Sequence, residues 1–144
     1  MTDSTSNLFD LSGHRAMITG GTQGVGSAIA TAVADAGADV LLVGLNADEA
    51  AVQTLQRCRS AGVQAALITA DLAQPPDQYL AELITAADQR MPGIDMLVNN
   101  AGTYIDRPFL EMDYERYRKT IDLNVTAGYF LTQSFARNYS RPSR

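Results

Sequence analysis

The sequence predicts an α/β fold: a doubly wound parallel sheet with helices on both faces. Three observations carry that expectation. Short runs that are apolar throughout alternate with longer stretches whose apolar residues recur at helical spacing. Runs apolar on both faces belong to parallel sheets covered on both sides. The first such run also leads straight into a glycine-rich turn.

The elements follow in order. Ala16-Met17-Ile18 reads as a buried strand, and Val25, Ile29, Val33 and Ala36 mark a helix that Gly37 stops. Val40 to Val43 is the second strand. Asn46 and Glu49 form a capping-box pattern for the next helix, with Ala51, Leu55 and Cys58 on its inner stripe and Gly62 beyond its end. Val63 to Thr69 is the third strand. Pro75-Pro76-Asp77 opens a helix with Leu80, Leu83, Ile84 and Ala87 on one face, and Met91-Pro92-Gly93 closes it. Asp95 to Val98 is the fourth strand. After a long loop, Tyr117, Ile121, Val125, Gly128, Thr132 and Phe135 line one side of a last helix. Right-handed crossovers then favour a Rossmann-like order, with a flavodoxin-like order as the alternative. Residues 1–10 are expected to be a flexible tail, and 11–144 one domain.

Composition narrows the function classes. Of 144 residues, 46% are hydrophobic and 19% charged, as in a globular domain with a real core. A net charge of −5 and no basic stripe argue against nucleic acid as a partner. No apolar run reaches the roughly 18 residues of a membrane span, and the polar N-terminus does not resemble a secretory signal. Cys58 is the single cysteine, so no internal disulfide forms, and the expectation is a cytoplasmic protein. His14 is the single histidine and precedes the first strand, which disfavours a metal centre and a Ser-His-Asp hydrolase.

Candidate binding residues gather where the strands end. The first strand runs into Thr19-Gly20-Gly21-Thr22-Gln23-Gly24-Val25-Gly26. A turn of this kind aims backbone N–H groups and a helix N-terminus at one point, which suits a pyrophosphate. Glycines permit positive φ and close approach of the backbone to the phosphates. A plain glycine-rich βα turn is the bland alternative. The third strand ends in Asp71-Leu72 and the fourth in Asn99-Asn100-Ala101-Gly102, either of which could be ordinary turn chemistry. Asn124 sits on the apolar stripe of the last helix, where an amide must find partners.

The T-G-x-x-x-G-x-G spacing, Asp71, the N-N-A-G run and Asn124 together resemble the short-chain dehydrogenase/reductase family. The resemblance spans about Leu11 to Phe135. It implies an NAD(P)-dependent oxidoreductase acting on an alcohol or carbonyl, and a homo-oligomer. It also implies that Gly20, Thr22, Gln23, Gly24, Val25, Gly26, Leu45, Asn46, Asp71, Leu72, Asn100, Ala101 and Gly102 hold the dinucleotide. Asp71 would contact the adenine amino group. Asn124 would be the catalytic-site residue, supporting the family's catalytic lysine. Gly44 stands where an acid would bind the ribose 2′-OH of NAD, and Leu45 where related sequences often have arginine. The missing carboxylate leans the choice between NAD and NADP slightly to NADP.

The family's chemistry pairs a tyrosine with a lysine four residues later. A neighbouring ammonium favours the phenolate, so the tyrosine exchanges a proton near neutral pH. The 144 residues contain no such pair: Lys119 is the only lysine, Glu115 lies four before it, and Tyr114 is followed at that spacing by Arg118. The mixed run Tyr114 to Lys119 reads as a solvated helix face. The expectation is a domain truncated after its fourth strand and following helix, inactive alone. An artificial boundary, a proteolytic or genetic truncation and a natural short form all remain open. The competing function is a non-catalytic dinucleotide-binding or interaction module. Strand one is expected to keep its neighbours on one side only partly covered, and strand four to be an unprotected edge.

Overall fold

A computed structural model describes residues 8–139. Four strands form one parallel sheet: β1 (Arg15–Thr19), β2 (Asp39–Gly44), β3 (Ala65–Thr69) and β4 (Met96–Val98), in the order β3-β2-β1-β4. That order is the Rossmann-like one and excludes the flavodoxin-like alternative. β1 lies between β2 and β4 and is paired on both sides. β4 is an edge among the described residues.

Alternation within the strands divides the core. Ala16, Ile18, Val40 and Leu42 face the helices α1 (Gly24–Asp35) and α2 (Glu49–Ser60). Met17, Leu41 and Val43 face the helices α3 (Pro76–Arg90) and α5 (Ala127–Tyr139). A helix α4 (Tyr114–Ile121) follows a long loop that holds a 3-10 turn at Phe109–Glu111. The expected flexible tail at residues 1–10 lies mostly outside the described residues. Within it, Leu8 and Phe9 are exposed, and just beyond it Leu11 N–H donates to Ala36 O.

Three helix details differ from expectation, each for a physical reason. On α1 the buried residues are Gly26, Ala30 and Ala34, while Val25 is 72% exposed. Small residues let the helix approach the sheet closely, and the bulkier Ile29 and Val33 pack at its margin. On α2 the cap is Asp48, not Asn46: the Asp48 carboxylate accepts from Ala51 N–H at 3.0 Å. Replacing Asp48 with alanine is therefore expected to cost about 1 kcal/mol in urea denaturation, and Asn46→Ala close to nothing.

The third difference lies between α4 and α5. A π turn (Asp122–Thr126) joins them, and Ala127 N–H reaches back five residues to Asp122 O. The wide turn resets the helical phase. Tyr117 and Val125, expected on the inner stripe, are exposed. The inner line instead runs Leu123, Ala127, Leu131, Phe135. A π turn inside a helix frequently marks a functional position, and Asn124 stands at its middle.

Cys58 is fully buried, and its removal from water pushes the thiol pKa up. Tyr79 packs in the α3 face of the core, where its hydroxyl has no hydrogen-bond partner among the described residues. Burial, then the charge of Asp122, raises its pKa. An unpartnered buried hydroxyl costs stability, so Tyr79→Phe is expected to raise stability by about 1 kcal/mol in the same measurement.

Candidate active site and dinucleotide cleft

At the carboxyl ends of β1 to β4 the sheet opens into a cleft of about 440 Å³. Its floor is the turn between β1 and α1. Gly20 there has φ +62°, a left-handed conformation, and a Cβ on it would come 2.9 Å from Ala101 Cα. The turn is thereby wedged against the chain leaving β4. Gly24 starts α1 at φ +55°, with nothing within 4 Å of where a Cβ would stand. The N-cap, Gln23, makes no side-chain cap, and the first turn of α1 carries no acid. The positive helix end thus carries neither a side-chain cap nor an acid in its own first turn.

One buried hydroxyl joins the two sides of the floor. Thr19 Oγ1 accepts from the N–H groups of Asn100 and Ala101, each at 3.1 Å, and donates to Val98 O at 3.3 Å. Asn100 completes the clasp: its Nδ2 donates to Thr19 O at 3.1 Å and Gly20 O at 3.0 Å. Thr19 was absent from the expected set. In sequence it reads as the first residue of the glycine-rich turn; in the fold it ends β1, buried, and the three-way bonding shows what its hydroxyl does.

Twelve of the thirteen expected cofactor residues line this cleft: Gly20, Thr22, Gln23, Val25, Gly26, Leu45, Asn46, Asp71, Leu72, Asn100, Ala101 and Gly102. Gly24 is the exception; it starts α1 in the left-handed conformation. The roles differ in kind. Leu72 is buried and belongs mainly to the core, whereas Leu45 and Asn46 are exposed at the rim. Asp71 closes its own turn, accepting from Ala73 N–H and Gln74 Nε2, both at 3.0 Å. Asn99 bonds Thr132 Oγ1 at 2.9 Å, on α5.

Asn124 is exposed, not on a buried stripe, because the π turn rotates it outward. Its amide still finds three partners. Oδ1 accepts from Thr103 N–H at 3.0 Å, and Nδ2 donates to Thr103 O at 2.7 Å and Thr120 O at 2.9 Å. The side chain thus grips one backbone unit of Thr103 from both sides, as a paired strand would. Gly102 next to it has no room for a side chain, since a Cβ would lie 2.5 Å from Asn124 Oδ1.

The cleft gathers further residues that motif spacing did not single out. Asp48, Ala73, Thr103 and Lys119 line it, beside Gly44 at the expected acid position. Lys119, read from sequence as part of a solvated face, is exposed but borders the cleft. Tyr104 and Phe109 are exposed and lie outside the cleft lining. His14 and Arg15 are at the opposite end of β1. His14 pairs with Asp95 at 2.7 Å, and Arg15 donates to Pro92 O at 2.9 Å. Among the described residues no His/Cys/Asp/Glu group could hold a metal ion, and no helix is long and apolar enough to cross a membrane.

This geometry has counterparts in known proteins. A family model described as short chain dehydrogenase matches residues 14–144. L-rhamnose 1-dehydrogenase (NADP(+)) of Thermoplasma acidophilum is 30% identical over 131 residues, covering 91% of this chain and 51% of that protein. A 3-oxoacyl (acyl-carrier-protein) reductase from Agrobacterium tumefaciens with NADP bound superimposes at TM-score 0.84. It is 25% identical over 96% of this chain and 54% of its own. An NADH-dependent reductase complexed with NAD superimposes at TM-score 0.80, 32% identical over 90% of this chain and 53% of its own. The chain spans about half the length of the curated relatives it matches. With the parallel sheet, the wedged glycine turn and the clasped N-N-A-G run on one cleft, the chain belongs to the short-chain dehydrogenase family.

Proposed function

We propose that this chain is the dinucleotide-binding part of an NAD(P)-dependent oxidoreductase that transfers hydride between nicotinamide and an alcohol or carbonyl. The observation that carries the reading is the uncapped, acid-free N-terminus of α1 opening into the cleft at the strand ends. The turn from Gly20 to Gly26 would hold the pyrophosphate on backbone N–H groups. Asp71 and Leu72 would border the adenine, Leu45 and Asn46 the adenosine ribose, and Asn100 to Gly102 the nicotinamide side. Bound there, the cofactor supplies or accepts the hydride. Asn124 acts by holding Thr103 in place, so it is a positioning residue for the active site.

NADP and NAD are both found bound in similar structures, which supports a nicotinamide dinucleotide in general. The lean to NADP rests on the absence of an acid at Gly44 and on the NADP-named relative. A small alcohol or carbonyl as the other substrate follows from the same family membership. A homo-oligomer fits the apolar side chains that α5 and its approach leave exposed, Val125, Tyr129 and Phe130 among them.

Titrating the purified chain with NADH and NADPH, read by nucleotide fluorescence, tests the reading. Saturable binding of at least one nucleotide is the expected result; binding of neither sinks it. The second reading, a non-catalytic binding module, is favoured by one observation: no Tyr-x-x-x-Lys pair occurs in the 144 residues. On that reading the chain binds nucleotide yet turns over no alcohol or carbonyl. Turnover by the purified chain would eliminate it.

A further inference from the structure

Thr54 places a buried hydroxyl on the inner stripe of α2, between Ala51 and Cys58. The threonines of the other α-helices, Thr31, Thr85, Thr120 and Thr132, each donate to the carbonyl four residues back in their own helix. Thr54 donates out of its helix instead, to Thr22 O in the turn after β1, at 2.9 Å. A hydroxyl has one proton, so Thr54 accepts in its contact with Ser27 Oγ of α1 at 2.8 Å. Thr54 is the only donor to Thr22 O among the described residues. This bond also sets the next N–H. In a planar trans peptide the C=O and the following N–H point in opposite directions, and no described peptide bond is cis. With Thr22 O drawn toward α2, Gln23 N–H is turned away from α2. Thr22 and Gln23 both line the cleft, and neither N–H has an acceptor among the described residues. The N–H groups just before them, of Gly20 and Gly21, are both directed at Val43 O, at 2.8 and 3.4 Å.

We infer that Thr54, which does not itself line the cleft, is a positioning residue for the pyrophosphate of the dinucleotide: through Thr22 O it holds the Thr22–Gln23 peptide with its N–H turned to the phosphates. The inference rests on the dinucleotide reading above and adds to it a residue of α2, outside the glycine-rich turn. Without the hydroxyl, Thr22 O loses its donor, and as Thr22 is only half-buried the carbonyl turns to water instead. The whole peptide plane turns with it, and Gln23 N–H loses its aim.

The test compares ADP, which carries the pyrophosphate, with adenosine, which does not. Both affinities, and those of NADH and NADPH, are measured on the full chain as wild type, Thr54→Val and Thr54→Ser. Valine keeps the volume and removes the hydroxyl; serine keeps the hydroxyl. Thr54→Val is expected to weaken ADP and the nicotinamide nucleotides by about tenfold, the worth of one hydrogen bond to a charged group, and to leave adenosine within about twofold of wild type. Thr54→Ser is expected to stay within about threefold of wild type for every ligand. In the amide NMR spectrum of the wild type, the Gln23 N–H resonance is expected to move on adding ADP and to stay on adding adenosine. Wild-type ADP affinity in Thr54→Val, equal losses in the valine and serine variants, or an equal fall in adenosine affinity overturns the inference while the dinucleotide reading stands. So does a Gln23 amide that ADP leaves in place, a readout that needs no variant to fold. A wild type that binds neither ADP nor either nicotinamide nucleotide overturns both.

Discussion

Replacing Gly26 with alanine is expected to abolish nucleotide binding, by more than 100-fold on the order of what loss of the phosphate turn implies, and to cost about 3 kcal/mol of stability. A Cβ at this position would overlap the carbonyl oxygen of Gly20 and lie 2.5 Å from Asn100 Nδ2. Neither neighbour has room to yield. Gly20 is already backed against Ala101, and the Asn100 amide is held by two carbonyls. The helix itself would have to move, carrying its N-terminal N–H groups out of the cleft. Gly24→Ala is the informative control. It meets no atom within 4 Å, so its cost is the left-handed backbone alone, about 1–2 kcal/mol. Urea denaturation and nucleotide fluorescence on both variants check the contrast. Wild-type affinity in Gly26→Ala would show that close approach of α1 to the turn is not needed for binding.

Much of the fold was legible in the sequence because burial on both faces makes a strand's apolar run unmistakable. Val40 to Val43 is the clearest instance, all four buried in the central sheet. The glycine turn was legible for a different reason. Only glycine serves at Gly20 and Gly26, one for its conformation and one for the space it saves. What escaped the sequence was of two kinds. Asn46 and Asp48 are both good capping residues two positions apart, and the choice between them depends on where the chain leaves β2. The π turn is harder. Nothing in Asp122-Leu123-Asn124-Val125-Thr126 marks an extra residue, so a uniform helical period places Val125 inward and Asn124 among apolar neighbours. In the fold the phase slips, Val125 faces out, and Asn124 is exposed with its amide on Thr103. Asn124 could therefore be named, but its mode of action could not. Lys119 in the same segment is exposed, as a lysine beside arginines reads, and it also borders the cleft, which its spacing does not show.

Thr19→Val carries the second large expected effect, and it separates shape from hydrogen bonding. Valine matches threonine in volume, so no cavity forms, and β1 accepts a β-branched residue readily. The hydroxyl is all that is removed. Two backbone N–H groups, of Asn100 and Ala101, then lose their acceptor, and Val98 O loses a donor. The replaced side chain is 1% exposed, so water reaches the vacated position poorly. At about 1–3 kcal/mol for each group left unsatisfied, moderated by the partial exposure of the Asn100 segment, the variant should lose about 2–4 kcal/mol. That is a large share of the 5–15 kcal/mol typical of a folded domain. Thr19→Ser keeps the hydroxyl and gives up one methyl group, so it should lose only about 1 kcal/mol. Denaturation curves for the pair distinguish the two causes. Equal losses would mean that packing of the methyl group, not the clasp, holds β4 to the turn. If the clasp holds them, nucleotide affinity should fall in Thr19→Val and survive in Thr19→Ser, because the same three bonds that stabilise the sheet end also set the distance between the phosphate turn and the N-N-A-G run.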